Sequence, residues 1–327
     1  MATDDCPSFK KTGIERKNYN KIQSSCKLFF TWVMAMSLIE VKGVYMIIKK
    51  DGFYFFDNLK GEPETLILGS VEAFNQNEYK ILTQQEVNEL LNYIRTNRIT
   101  KISTFWGYPY DNIDFITEFS WIESISITEP HITKLDIINK MPNLVYISWD
   151  DPIPFNINNP VLKELSFEWH KNNSISSNCK SLRSICVTNC KDLTGLFEQI
   201  CILPNVARVA IVKNFSVKDC TFMKPMAKLE YLGLSYFTKL ESLNGIEVLA
   251  PTLRYLELDT GSKIYDHSHL KTLKKLEVLR ITHKGIIKSL DFIQEMPMLK
   301  ELAVVGPKLE DNNLSYCNHI PTLQIWR

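Results

Sequence analysis

Leu229-Glu230-Tyr231-Leu232-Gly233-Leu234 is followed 24 residues later by Leu253-Arg254-Tyr255-Leu256-Glu257-Leu258. Leu276-Glu277-Val278-Leu279-Arg280-Ile281 and Leu299-Lys300-Glu301-Leu302-Ala303-Val304 repeat the pattern. Apolar residues recur at the first, fourth and sixth places. The two-residue step from fourth to sixth is the period of a strand with one buried face. The same triplet starts upstream at Ile99, Ile122, Leu144, Leu162, Leu182 and Val206, and downstream at Leu323. Successive starts are 18 to 24 residues apart. A fixed short period over so long a stretch means stacked units, each too small to bury its own apolar face and each covered by its neighbours.

The residues between triplets form the return half of each unit. In Ser289–Leu299, Leu290, Ile293 and Met296 have helical spacing, and Pro297 ends the segment before the next strand. The two short intervals, 144 to 162 and 162 to 182, leave little chain for a return, and one holds Asp151-Pro152-Ile153-Pro154-Phe155. An extended return is expected there, because each proline disfavours helix at the residue before it. Upstream, Lys49-Lys50-Asp51-Gly52 between Met46-Ile47-Ile48 and Phe53-Tyr54-Phe55-Phe56 reads as a hairpin. Thr65–Leu68 reads as a further strand. Thr83 and Glu86 form a capping box before Val87, Leu90, Leu91 and Ile94, with Asn97 suited to the helix end.

These units resemble leucine-rich repeats over roughly 99–327, nearest to the 22–24-residue class of bacterial internalin-like arrays. The pattern L-x-x-L-x-L-x-x-N/C is complete in Leu182, Ile185, Val187 with Cys190, and in Val206, Val209, Ile211 with Asn214. The resemblance implies that this Asn or Cys satisfies backbone groups at the turn, and that the array binds another molecule, commonly a protein. Pro130, Phe237, Gly261, Lys284 and Pro307 occupy that slot elsewhere, so an irregular ladder is expected. The expected fold is α/β: a leucine-rich repeat solenoid with a parallel concave sheet over 99–327, a small α+β N-terminal cap over 46–98, and a leader over 1–45.

With slots one, four and six facing inward, slots three, five and seven line the concave face. Two stretches of those slots combine tyrosine with carboxylates. Tyr146, Asp150, Glu164 and Glu168 form one, and Tyr231, Tyr255, Glu257 and Asp259 the other. Tyrosine buries area while the charges steer association, so both are candidate contact sites for a protein partner with a basic surface. The competing reading is that any solenoid needs a polar strand surface and that these side chains are only solvated.

The bulk properties narrow the classes. A net charge of +1 gives no global reason to expect nucleic acid or an anionic membrane as partner. The eight cysteines form no C-x-x-C pair and are expected to be reduced, small buried apolar residues. His267-Ser268-His269 is weak evidence for a metal, and no P-loop, G-x-S-x-G or H-E-x-x-H occurs. Glu164 and Glu168 lie on an open sheet and lack the walled cleft of a glycosidase. No cofactor is expected. Residues 1–27 are polar and basic, and the apolar run Leu28–Ile39 is too short to span a bilayer. A dispensable leader is preferred over an export signal. The sequence thus leads to a non-enzymatic, cytoplasmic, protein-binding solenoid, monomeric when free. An immunity or inhibitor protein that occludes a basic partner such as a toxin is its sharper form. A secreted or surface adhesion module and a regulatory or adaptor subunit of an enzyme complex are the alternatives.

Overall fold

The computed structural model describes residues 46–326 except 59, 77, 79 and 260–262. The readings of 1–45, including Leu28–Ile39, and of Gly261 lie outside the described residues. The chain divides into two compact units. One takes in residues up to Asp111 together with Ser126–Ile132, and the other Asn112–Ile125 and Thr133 onward.

In the first unit, β1 (Ile47–Lys50) and β2 (Phe53–Asp57) pair antiparallel as a hairpin, with Lys50 opposite Phe53. Asp51 and Gly52 both take positive φ, 54° and 87°, which a two-residue turn matched to the twist of its strands requires. β3 (Pro63–Leu68) pairs antiparallel with β2 and parallel with β4 (Lys101–Thr104). Helix α1 (Val71–Asn75) follows β3, and α2 (Gln84–Asn97) precedes β4. The capping box of α2 is formed: Glu86 N–H donates to Thr83 Oγ1 at 3.3 Å, and Thr83 N–H donates to Glu86 Oε2 at 2.7 Å. The left-handed cap at its other end is Arg98, φ 49°, while Asn97 bonds back to the Tyr93 carbonyl. Phe56, Ile67, Val71, Phe105 and Trp106 make the core.

Strand β5 (Ser124–Ile127) is shared between the units. The second unit continues with β6 (Tyr146–Trp149), β7 (Glu164–Glu168), β8 (Ser184–Thr188), β9 (Arg208–Asn214) and β10 (Tyr231–Phe237). It ends with β11 (Tyr255–Asp259), β12 (Val278–Thr282), β13 (Glu301–Val305) and β14 (Thr322–Trp326). From β6 to β14 each strand pairs parallel with the next. The central leucine triplets face inward: Leu229, Leu232, Leu234, Leu253, Leu256, Leu276 and Leu279 are fully buried, whereas Leu323 in the last strand is 41% exposed. Each fully buried side chain contributes about 1.5–3 kcal/mol of hydrophobic stabilisation.

The final unit starts three residues earlier than the sequence suggests. Leu302 pairs with Leu323 and Val304 with Ile325, so Leu323 fills slot four and Ile320, buried, is the true first residue. Ile320-x-x-Leu323-x-Ile325 satisfies the triplet as well as a start at Leu323 does, and only the hydrogen-bond register separates them.

Returns are tighter than the helical spacing implies. Leu290, Ile293 and Met296 are fully buried, but around a single 3-10 turn, Asp291–Glu295. A 23-residue repeat has room for little more. The one α-helix described in this unit, α3 (Leu193–Ile200), is in the 24-residue repeat beginning at Leu182. The compressed repeats do return in extended form, through paired two-residue strands Asn156–Ile157 and Ser174–Ile175. Aromatic rings fill their interior: Trp149 is 5.0 Å from Phe167 and 5.9 Å from Phe155, and Phe167 is 6.0 Å from Trp169. Large rings occupy volume that a helical turn fills in neighbouring units.

The turn slot is as irregular as expected. Buried Asn214 donates to the Cys190 carbonyl at 2.7 Å and accepts from Ser216 and Val217 N–H, whereas Phe237 fills the same slot by packing alone. The six described cysteines are free, and all but Cys201 are buried. Burial pushes the Cys190 thiol up to about 12, which makes it chemically quiet.

Candidate binding face

The register places the third slots in one column. Tyr146 pairs with Glu164, and then Ser184, Arg208, Tyr231, Tyr255, Val278, Glu301 and Thr322 follow rung by rung. Adjacent rungs are about 4.8 Å apart, so long side chains on neighbouring strands must touch.

In the second candidate stretch they interlock. The Arg208 guanidinium sits 4.3 Å from the Tyr231 ring centre, Tyr231 lies 4.9 Å from Tyr255, and Arg280 is 5.3 Å from Tyr255. Arg280 closes the chain on Glu301 with Nε and Nη2 at 3.0 and 2.8 Å from Oε1. Tyr231 donates its hydroxyl to Glu257 Oε2 at 3.1 Å. This arrangement depends on Gly233, because a Cβ there would meet the Tyr231 hydroxyl at 2.8 Å. Tyr231 is consequently buried, with 4% exposure, although it points to the open side of the sheet. Burial, with Glu257 beside it, holds its phenol proton tightly. Burial likewise raises the carboxyls of Glu257 and Asp259 and pushes the Tyr255 phenol up to about 12.

This strip is therefore not the simple acidic patch that Tyr231, Tyr255, Glu257 and Asp259 suggest when read alone. Arg280 engages Glu301 and acts on Glu257, Arg208 packs on Tyr231, and the tyrosines are fixed between the two arginines. The two arginines are the site residues that sequence reasoning left out. They occupy concave slots one rung away from the tyrosines, so the signal was present in the register.

The first stretch is different. Tyr146 and Glu164 oppose each other across one rung, and Glu164 is exposed. Asp150 stands close to Asp151 and Glu168. Burial and these two like charges push its carboxyl up to about 8, and its Oδ2 makes no hydrogen bond among the described residues. At neutral pH Asp150 is therefore largely protonated beside the negative charges of Asp151 and Glu168. Glu168 accepts from Asn189 Nδ2 at 3.0 Å.

The histidines pair differently from their order in the sequence. His267 turns inward and stacks on His283 of the next repeat, with ring centres 6.0 Å apart, and does not join His269. No group of three or more His, Cys, Asp or Glu among the described residues is placed to hold a metal ion. No described helix is long and apolar enough to cross a membrane.

Strands of about five residues, an inward triplet and a return of one turn, repeated in parallel register, define the architecture. The array is a leucine-rich repeat solenoid. No protein-family model matches the chain, and no curated protein sequence does. Among solved structures it is similar to an internalin, inlF, from Listeria monocytogenes str. 4b F2365, at 13% identity and TM-score 0.40 over 80% of this chain and 81% of that one. It is also similar to TLR13 in a TLR13–ssRNA13 complex, at 18% identity and TM-score 0.48, over 80% of this chain and 43% of that one. The leucine-rich repeat domain of APL1B gives 13% identity and TM-score 0.35 over 70% of each chain. At these values the fold assignment stands on the strand register of the molecule itself.

Proposed function

We propose that this leucine-rich repeat protein is a binding module that holds a protein partner on its concave face. The observation that carries this reading is the chain Arg208–Tyr231–Tyr255–Arg280–Glu301. An open sheet surface needs only solvated polar side chains, yet here long side chains are locked against one another in one arrangement. Preorganised aromatic and arginine groups bind with less ordering cost than free ones, and they are the residue types that dominate interface energetics. Glu164 and Glu168 add a local negative field that favours a partner with basic residues opposite β7. Occlusion of a basic protein such as a toxin is the narrower form of this reading, within a cytoplasmic setting and with no catalytic role for the chain itself.

The test is affinity capture of partners with the wild type, with Tyr255→Ala/Arg280→Ala and with Glu164→Lys/Glu168→Lys, read by mass spectrometry. A specific partner lost from the first variant supports the concave strip. A partner held equally by all three forms sinks it. Loss in the charge-reversal variant alone moves the site to the β6–β7 end.

A further inference from the structure

The ends of β8, β9 and β10 share a backbone feature. The residue after the concave slots is left-handed in three successive repeats: Asn189 at φ 56°, Lys213 at 62° and Tyr236 at 58°. Gly306 takes the same turn position at φ 91°. Val212 pairs with Ser235 and Asn214 with Phe237, so Lys213 and Tyr236 lie side by side; Asn189 follows Thr188, the partner of Val212. Asparagine and glycine enter this backbone region readily, but lysine and tyrosine are strained in it. The Tyr236 side chain is 50% exposed and makes no hydrogen bond among the described residues. Phe215, two residues beyond Lys213, is 54% exposed. Strain held at an exposed aromatic is the pattern of a functional surface.

The charges nearby are unequally engaged. Lys191, in the slot equivalent to Phe215, and Lys213 and Lys239 have no ion pair among the described residues. The neighbouring carboxylates are occupied. Asp192 caps α3 by accepting from Gly195 N–H at 2.9 Å, Asp219 accepts from Thr221 N–H at 3.0 Å, and Glu241 faces Lys263 at 3.7 Å. We propose that this ledge, Tyr236 and Phe215 flanked by Lys191, Lys213 and Lys239, is a second docking surface, for a protein segment in which carboxylates alternate with apolar side chains. The free ammonium groups complement the carboxylates, and the exposed rings receive the apolar residues. A nucleic acid fits less well, since three lysines would meet few of its closely spaced phosphates and leave the exposed rings without apolar partners.

The experiment uses the full chain and a fluorescein-labelled peptide of alternating glutamate and leucine, followed by anisotropy at low and moderate salt. The wild type is expected to bind the peptide, more weakly as salt rises. Tyr236→Gly is expected to raise the thermal midpoint by about 2 °C, because it relieves the strained turn, and to weaken peptide binding tenfold or more. Lys213→Glu/Lys239→Glu should weaken binding by a similar factor. Tyr255→Ala, on the concave face, should leave it unchanged, which separates this surface from the concave one. A lower midpoint in Tyr236→Gly, or peptide binding indifferent to both ledge variants, overturns the proposal. Tighter binding of a single-stranded oligonucleotide through the same residues overturns it in favour of nucleic acid.

Discussion

The imidazole of His267 lies parallel to that of His283, with 8° between the ring planes, and Phe292 stacks on His267 at 6.3 Å. Both histidines are buried, His267 to 1% exposure. Burial, reinforced by the neighbouring His283 and opposed more weakly by the Tyr265 backbone and Asp266, pushes His267 down to about 4, and burial lowers His283 as well. The unfolded chain binds a proton on each near pH 6.5, and the folded chain only at lower pH. The contribution of this histidine pair to stability is therefore level above pH 6.5 and falls as the pH drops towards 4. His267 alone should remove ~2 kcal/mol between pH 7 and pH 5. The check is the urea midpoint of the wild type against that of His267→Phe at both pH values: relative to this variant, the wild type should lose stability on going from pH 7 to pH 5.

Asp150 has the opposite sign. Its carboxyl, ordinarily at 3.8, is held up to about 8 by burial beside Asp151 and Glu168. Between those values the folded state binds the extra proton, so this residue stabilises below pH 4 and loses that contribution as the pH rises through 8. Asp150→Asn keeps the shape without the charge. It should raise stability at pH 8.5 by about 1–3 kcal/mol, the order of cost of a buried charge without a partner, and have little effect at pH 4.5. An equal shift at both pH values would remove the electrostatic explanation.

Gly233→Ala separates folding from binding. The added methyl meets only the end of the Tyr231 side chain, at 2.8 Å from its hydroxyl, and alanine suits a strand better than glycine. Global stability should stay within about 0.5 kcal/mol of the wild type. The phenol must leave Glu257, however, and the locked strip loosens. Partner binding at the concave face should weaken while the melting curve stays put.

Asn214 has two groups of bonds to lose, its donation to Cys190 and its acceptance from the turn after β9. Asn214→Ala leaves these buried backbone groups unsatisfied and should cost about 2–4 kcal/mol. Hydrogen exchange would show the loss concentrated in the repeats on either side, because units in a solenoid are held by their nearest neighbours.

The sequence carries the repeat architecture because leucine burial at slots one, four and six is a local, periodic requirement. Short-range chemistry was equally plain at Asp51-Gly52, and at Thr83 with Glu86. What is missing from one dimension is lateral. Whether Leu323 begins a repeat or fills its fourth slot depends on its pairing with Leu302. That Arg208 belongs with Tyr231, or His267 with His283 rather than His269, depends on which strands lie side by side. The raised Asp150 carboxyl reflects burial first, then the adjacent Asp151 and Glu168 on the next rung; only Asp151 is visible along the chain. The mutual engagement of Arg208, Tyr231, Tyr255 and Arg280 is not visible in the sequence.

Trp149 and Trp169 stand in ring contact with Phe167 directly behind the strand surface that carries Tyr146, Glu164 and Glu168. Indole emission responds to small changes in the packing and polarity around it. The compressed repeats thus place a built-in optical probe beneath one candidate contact area, and none of the described tryptophans lies in the Arg208–Glu301 span. Occupancy of the two regions can be told apart in the unlabelled protein by whether its intrinsic fluorescence changes.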